Sequence, residues 1–123
     1  MQKQGKKVLA VVDDLLFTVK IGDAARRTGL TPEFVKSEKD VLEKAKERPR
    51  LIIFDLNASA VNPLKVISAL KANEDTRAIS LIAYLSHIQG ELKQQAHDAG
   101  ADMVMARSAF SQNLLQILKR HAG

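Results

Sequence analysis

The sequence contains no cysteine, no tryptophan and only one tyrosine in 123 residues. Without cysteine, the chain can form neither a disulfide bond nor a metal site with thiolate ligands. One tyrosine and four phenylalanines supply few aromatic rings on which nucleobases could stack. We therefore interpret the net charge of +5 as a solvated surface rich in lysine and arginine, and we do not expect a nucleic-acid partner.

Long hydrophobic runs are also missing from the chain. The longest apolar stretches are far shorter than the roughly 20 residues that a membrane-spanning helix needs. The basic N-terminus leads into an apolar stretch that is too short for the hydrophobic region of a signal peptide. We therefore expect a cytoplasmic protein without membrane contact. The length favours one domain over residues 1–123, with residues 1–6 as a flexible tail.

Short apolar blocks alternate with helical patterns along the whole chain. Strands are predicted at 7–12, 31–35, 51–54, 80–85 and 103–106. Helices are predicted at 15–28, 38–47, from 62 onwards, at 91–99 and at 111–120. The strands are continuous apolar runs, which is typical of a parallel sheet covered by helices on both faces. The sequence therefore predicts an α/β fold with five strand-helix units.

Several helix ends carry residues with known capping roles. Ser37 precedes a charged helix as an N-cap, and Asn62 followed by Pro63 is a typical helix start. Gly29 and Gly100 follow the last residues of two other helices, where glycine is the preferred terminator. The first helix is expected to bury an apolar stripe formed by Leu16, Val19, Ile21, Ala24 and Ala25.

Acidic residues end two of the predicted strands. Asp13 and Asp14 follow the first strand, and Asp55 follows the third. A doubly wound sheet would place these two strands side by side, and ligands bind at the carboxyl ends of such strands. Carboxylate oxygens in this arrangement suit Mg²⁺, which keeps waters and meets phosphate oxygens. A carboxylate beside Mg²⁺ can act as a nucleophile toward a phosphoryl group.

The strand-end motifs resemble those of the receiver domains of two-component response regulators over nearly the whole chain. The matching segments are Val11-Val12-Asp13-Asp14, Leu51-Ile52-Ile53-Phe54-Asp55-Leu56-Asn57, Ser86 and Ala99-Gly100-Ala101-Asp102. The resemblance implies a flavodoxin-like fold with strand order 2-1-3-4-5. It also implies that Asp55 accepts a phosphoryl group from a histidine kinase or a phosphotransfer protein.

The same resemblance implies a role for each remaining site residue. Asp13, Asp14 and Asp55, together with the backbone carbonyl of Asn57, would hold Mg²⁺. Ser86 matches the hydroxyl residue that senses the phosphoryl group at the end of the fourth strand.

The chain also departs from the receiver pattern. Arg107 stands where the family has a lysine, and an arginine is a planar fork rather than a compact ammonium. It keeps the positive charge and could still pair with Asp55 or with a phosphoryl group. The loop 58–63 lacks the family's Met-Pro and its later glycine. Val104 occupies the family's aromatic switch position, and Phe110 is expected to take an aromatic packing role on the last helix. Two hypotheses stay open: a working phospho-acceptor, or a receiver-like module that signals by binding alone.

A third, weaker hypothesis concerns Lys20–Asp40. This segment resembles the first helix-turn-helix of mercury-resistance-type transcription regulators, which would imply DNA binding. Against it, an apolar strand precedes the segment, and Val35-Lys36-Ser37-Glu38 replaces that family's Arg-Tyr-Tyr-Glu. We therefore expect a stand-alone receiver, a monomer or weak dimer, that acts as a switch rather than as an enzyme. Its downstream protein partner is not identifiable from the sequence.

Overall fold

A computed structural model describes residues 6–58, 61–86 and 90–122 of the chain. Within these ranges, five strands alternate with five helices, which confirms the predicted strand-helix units. The strands are β1 (Lys7–Val11), β2 (Thr31–Phe34), β3 (Leu51–Asp55), β4 (Ser80–Leu85) and β5 (Met103–Ala106). The helices are α1 (Leu15–Arg27), α2 (Glu38–Ala45), α3 (Pro63–Ala72), α4 (Gly90–Ala99) and α5 (Arg107–Ala122). The predicted tail over residues 1–6 lies outside the described residues except for Lys6.

The five strands form one parallel sheet in the order β2-β1-β3-β4-β5, as the receiver resemblance implied. In the register of β1 and β3, Val11 lies beside Phe54. In the register of β3 and β4, Asp55 lies beside Tyr84. The carboxyl ends of β1, β3 and β4 therefore meet at one edge of the sheet.

Helices cover both faces of the sheet. One apolar cluster joins α2, α3 and α4 to one face, and Val41, Val66 and Ala96 are members of it. The other cluster joins α1 and α5 to the opposite face through residues that include Phe17 and Phe110. Every residue of β3 is buried, as expected for a central strand with helices on both sides. Within the described residues, none of the helices combines the length and the hydrophobicity of a membrane-spanning segment.

The predicted helix ends are observed. The Ser37 hydroxyl accepts a hydrogen bond from the backbone N–H of Asp40 (3.1 Å) and caps α2. The side-chain oxygen of Asn62 accepts from the backbone N–H of Lys65 (3.3 Å), with Pro63 in the first helical position. Gly29 and Gly100 have φ angles of +83° and +120°, which residues that carry a Cβ rarely adopt.

Two sequence-based expectations for the helices are wrong. Val19 is 61% exposed and Leu16 is also exposed, because α1 buries the face that carries Phe17 and Ile21. Val19 lies two residues from each of these, so the turn of about 100° per residue directs it away from the sheet. The last helix begins at Arg107 rather than at residue 111, so α5 follows β5 without a connecting loop.

The helix-turn-helix interpretation of Lys20–Asp40 is also wrong. Residues Thr31–Phe34 of this segment form β2, which pairs with β1 in the sheet. A helix-turn-helix needs a second helix after its turn, and here a strand takes that place. The strand forms because its backbone groups pair with those of β1, where Lys7 lies beside Thr31.

A network of ion pairs ties β1, β2 and α2 together at the surface, and it also includes Glu47, which pairs with Lys7 (2.8 Å). Glu33 pairs with Lys7 (3.1 Å) and with Lys44 (2.6 Å). The hydrogen bond from Lys44 is the main cause that lowers the pKa of Glu33 below its usual value of 4.5. A carboxylate with a lowered pKa stabilises the fold at pH values above its unfolded-state pKa. This stabilisation is lost as the pH falls through its folded-state pKa.

We expect Glu33→Gln to lower the free energy of unfolding by up to about 1 kcal/mol at pH 7, because the pairs are partly exposed. The difference between the variant and the wild type should shrink as the pH falls below about 4.5. Urea denaturation at pH 7 and pH 3 measures both effects. Glu74→Gln, at an exposed position between α3 and β4, is the control. Equal losses for the two variants would contradict the prediction.

Candidate functional site

The strand-end acids lie at the same edge of the sheet. Asp55 is the last residue of β3, and Asp13 and Asp14 directly follow β1, its neighbour in the sheet. Asp55 is 8% exposed, whereas Asp13 is exposed and Asp14 is half-buried. The fold therefore brings a buried carboxylate and two more accessible ones to the edge where open α/β sheets bind ligands.

The environment of Asp55 opposes its ionisation. Its carboxylate accepts a hydrogen bond from the backbone N–H of Asn57 (2.9 Å). Burial is the largest influence and raises the pKa of Asp55 above 3.8. The negative charges of Asp13 and Asp14 raise this pKa further, while the Asn57 N–H and the Arg107 charge act in the opposite direction. A cation or an electrophile that approached the cluster of Asp13, Asp14 and Asp55, called the acidic corner below, would relieve this unfavourable charge.

Ser86 is connected to the acidic corner through Asn57. The side-chain oxygen of Asn57 accepts two hydrogen bonds from Ser86, one from its backbone N–H (2.8 Å) and one from its hydroxyl (3.0 Å). The carbonyl of Tyr84 accepts a hydrogen bond from the N–H of Leu56 (2.9 Å), which continues the β3–β4 pairing to this point. The predicted site residues Asn57 and Ser86 therefore lie next to one another at the ends of two paired strands.

Arg107 reaches the corner from the opposite side. Its guanidinium forms an ion pair with one carboxylate oxygen of Asp14 and lies 4.5 Å from the centre of the Phe17 ring. The other oxygen of Asp14 accepts the backbone N–H of Leu16 (2.8 Å) and caps α1. Both oxygens of Asp14 are therefore engaged by the protein. The sequence predicted the position of Arg107, but the expected pairing with Asp55 is not observed, because the guanidinium pairs with Asp14 instead.

The donor chemistry of the corner suits Mg²⁺ only in part. The carboxylates of Asp13 and Asp55 and the backbone carbonyl of Asn57 are hard oxygen donors of the kind that Mg²⁺ prefers. Among the described residues, however, no three acidic or histidine side chains are grouped so that they could hold a metal ion. Asp14 is held by Arg107 and by the start of α1. The residues fit the ion if Asp14 exchanges Arg107 for it.

Three aromatic rings support the corner from below. The Tyr84 ring stacks on Phe110 with centroids 4.7 Å apart, and Phe17 lies 4.9 Å from Tyr84. Phe110 therefore has the packing role predicted for it. Sequence reasoning did not single out Phe17 or Tyr84, although Phe17 lies at a helical spacing from the buried Ile21 that could have identified it. These three rings form an aromatic platform, and it holds Phe17 in place beneath the Arg107 guanidinium.

The Tyr84 hydroxyl is buried and has no hydrogen-bond partner among the described residues. Burial, followed by the nearby charge of Asp55, raises the pKa of Tyr84 well above its usual value. The hydroxyl is therefore neutral at pH 7, and it adds a desolvation cost without a compensating bond among the described residues.

We expect Tyr84→Phe to leave the free energy of unfolding unchanged or to raise it by about 1 kcal/mol, because only the unpaired hydroxyl is removed. Urea denaturation with linear extrapolation measures the change. Tyr84→Leu, which also removes the ring from the stack, is the contrasting variant and should destabilise the fold. A loss of stability in Tyr84→Phe would show that the hydroxyl has a partner.

A cavity of about 530 Å³ borders Arg107 between α1 and the start of α5. Its wall includes Phe17, Ser86 and Ser108, and at its rim Lys20 donates a hydrogen bond to the Ser111 hydroxyl (3.2 Å).

In the loop 58–63, residues 59 and 60 lie outside the described residues, whereas Val61 is buried and Pro63 begins α3. The predicted switch position Val104 is buried in β5.

Comparison with known proteins identifies the fold but no sequence family. No protein-family model matches the sequence, and no curated protein sequence is similar to it. The chemotaxis response regulator CheY4 of Vibrio cholerae superposes with a TM-score of 0.79 at 22% identity, over 94% of this chain and 97% of that chain. The phosphorylated cyanobacterial phytochrome response regulator RcpA gives 0.78 at 20% identity, over 94% and 89%.

A third structure contains a metal ion. The receiver domain of the sensor histidine kinase PA1611 from Pseudomonas aeruginosa has magnesium coordinated in its active-site cleft. It superposes with a TM-score of 0.80 at 22% identity, over 97% of this chain and 98% of that chain. The similarity covers nearly all of each chain and includes the strand order. The chain therefore has the CheY-like, flavodoxin-type fold of response-regulator receiver domains.

Proposed function

We propose that the chain is a phosphoryl-accepting receiver that takes a phosphoryl group on Asp55 with the help of Mg²⁺. The observation that carries this proposal is the convergence of Asp13, Asp14 and Asp55 at one sheet edge, with Ser86 and Arg107 beside them. Phosphoryl transfer to a side chain requires a nucleophile and positive charge beside the transferred group, and the hydroxyl of Ser86 adds a hydrogen-bond donor.

The chain's own residues account for the transfer as follows. A carboxylate oxygen of Asp55 attacks the phosphorus, a new O–P bond forms, and the donor group leaves with the electron pair of the broken bond. The backbone N–H of Asn57 orients the carboxylate by its hydrogen bond to Asp55 (2.9 Å). Bound at Asp13, Asp14, Asp55 and the Asn57 carbonyl, Mg²⁺ would neutralise charge on the phosphoryl oxygens. The positive charge of Arg107 would act in the same sense.

Ser86 is positioned to report the modification. Its hydroxyl now donates to the side-chain oxygen of Asn57 (3.0 Å). A phosphoryl group on Asp55 would offer this hydroxyl a charged acceptor, and charge-assisted hydrogen bonds are stronger than neutral ones. We propose that Ser86 changes partner on phosphorylation, and that the change alters the surface at the end of β4 for a downstream protein.

The proposed partners follow from this chemistry. The donor would be a histidine kinase or a phosphotransfer protein, and the chain would act as a switch in the cytoplasm rather than as an enzyme in the usual sense. It would work as a monomer or weak dimer. The similar structure of RcpA is phosphorylated and that of the PA1611 receiver domain holds magnesium, and these properties support the same chemistry here.

Incubation with a small phosphodonor and Mg²⁺, followed by intact-protein mass spectrometry, tests the proposal. The wild type should gain one phosphoryl group, and Asp55→Ala should gain none. No gain in the wild type, or the same gain in both proteins, would refute phosphorylation at Asp55.

The second candidate is a receiver-like binding module that is never phosphorylated. The pairing of Arg107 with Asp14 favours it, because this pair engages a carboxylate that the metal site would need. A ligand that binds only the native state must raise its stability. A binding module that does not take up Mg²⁺ should therefore not be stabilised by the ion. Thermal melting with Mg²⁺ and a phosphoryl mimic, for wild type and Asp55→Asn, separates the two candidates.

A further inference from the structure

We propose that Arg107 and a divalent cation compete for Asp14, so that the cation binds only when the guanidinium leaves the acidic corner. The inference rests on the proposed function, because it concerns the same metal site. It adds that the chain carries its own cation at this site and that Arg107 sets the affinity for the metal.

Two contacts hold the guanidinium in place. It forms an ion pair with Asp14, and it lies over the face of Phe17, 4.5 Å from the ring centre. Phe17 cannot move away easily, because it is buried and packed against Tyr84 and Phe110. A planar guanidinium can stack on a ring and bind a carboxylate at the same time, which a lysine ammonium does less well.

Asp14 cannot serve both cations at once. One of its oxygens caps α1 by accepting the N–H of Leu16 (2.8 Å), and Arg107 engages the other. A metal ion at Asp14 would have to displace one of these donors. It would also meet the positive charge of Arg107 at contact distance, which is unfavourable in a partly buried site. Loss of the Arg107 pair relieves both problems, whereas loss of the Leu16 bond frees one oxygen but leaves the guanidinium charge beside the ion and removes the cap of α1.

The structure provides room for the displaced side chain. The cavity of about 530 Å³ beside Arg107 is lined by Ser86, Ser108 and Ser111, whose hydroxyl oxygens can accept hydrogen bonds from a guanidinium. Lys20 at the rim is the other positive charge on this wall and is bonded to Ser111 (3.2 Å). Arg107 can therefore exchange Asp14 for neutral acceptors without repacking the core.

Titration with MgCl₂ followed by isothermal calorimetry tests the competition in the full chain. We expect Arg107→Ala to bind Mg²⁺ about tenfold more tightly than the wild type or better, because the competitor is gone. Lys20→Ala removes a positive charge from the same cavity without touching Asp14, and its affinity should change by less than about threefold. Phe17→Leu keeps every charge but removes the stacking surface, so it should also bind the ion more tightly than the wild type.

A second measurement uses the wild type alone. The NMR signal of the Arg107 Nε–H, assigned by through-bond correlations in the wild type, should shift as MgCl₂ is added. The corresponding signal of Arg50, whose guanidinium donates to the backbone carbonyl of His121 (3.0 Å), is the internal control and should not move.

The results also separate this inference from the proposed function. Equal Mg²⁺ affinities for Arg107→Ala and Lys20→Ala, or no binding by Arg107→Ala, would overturn the competition even if Asp55 accepts a phosphoryl group. Conversely, tighter binding by Arg107→Ala together with no phosphoryl gain at saturating MgCl₂ would support the competition and refute the proposed function.

Discussion

Replacing Asp55 by asparagine is expected to abolish phosphoryl transfer and, at the same time, to stabilise the native state by on the order of 1 kcal/mol. Transfer stops because a neutral amide is not a nucleophile toward phosphorus, whereas an ionised carboxylate is. Stability rises because the carboxylate is buried beside the negative charges of Asp13 and Asp14. An amide of the same shape avoids that cost and can still accept the hydrogen bond from Asn57.

The stabilisation should depend on pH in a defined direction. Burial raises the pKa of Asp55 above its unfolded value of 3.8, so the native state binds more protons than the unfolded state between the two values. The stability of the wild type therefore falls as the pH rises through this interval, and the cost is fully present above the folded-state pKa. The difference between Asp55→Asn and the wild type should grow as the pH rises from 3.8 through the folded-state pKa.

Urea denaturation across this range gives the stability difference, and mass spectrometry after phosphodonor treatment gives the transfer. Asp98→Asn is a matched control, because Asp98 is exposed on α4 and its carboxylate accepts from Gln94 (2.9 Å). It should keep phosphoryl transfer and change the stability by less than about 0.5 kcal/mol. A destabilised Asp55→Asn would contradict the description of this carboxylate as a buried, unfavourable charge.

Replacing Phe110 by alanine is expected to lower the free energy of unfolding by about 3–5 kcal/mol. Phe110 is fully buried and stacks on Tyr84 with ring centroids 4.7 Å apart. Its removal leaves a cavity beneath the corner, because the sheet and α1 hold the neighbouring rings in place. Such a loss is a large part of the total stability of a domain of this size.

The matched control for Phe110→Ala is Leu115→Ala on the same helix. Leu115 is 37% exposed, so its truncation should cost about 1 kcal/mol or less. Urea denaturation of both variants gives the comparison. A similar loss for the two variants would contradict the role of the aromatic platform as the principal support of the corner.

Local patterns were enough to predict the elements of this fold. Ser37 and Asn62 mark helix starts because their side chains bond to backbone N–H groups only three residues away. The continuous apolar strands and the acids that follow two of them predicted a covered parallel sheet with carboxylates at one edge. The similarity to receiver domains supplied the strand order, and the β1–β3 pairing confirms it.

Contacts between distant parts of the chain were not predictable in the same way. Arg107 and Asp14 are 93 residues apart in the sequence, and the order of the strands brings them together. The exposure of Val19 depends on which face of α1 packs against the sheet, and an apolar stripe of this width does not determine that face.

The acids that end β1 and β3 and the cation that follows β5 were predictable from the sequence, because each is a property of a single position. The pairing of Arg107 with Asp14 over the Phe17 ring, rather than with Asp55, became visible only in the folded chain. The partner of a long charged side chain depends on the surfaces packed around it. Here the stack of Phe17, Tyr84 and Phe110 provides that surface.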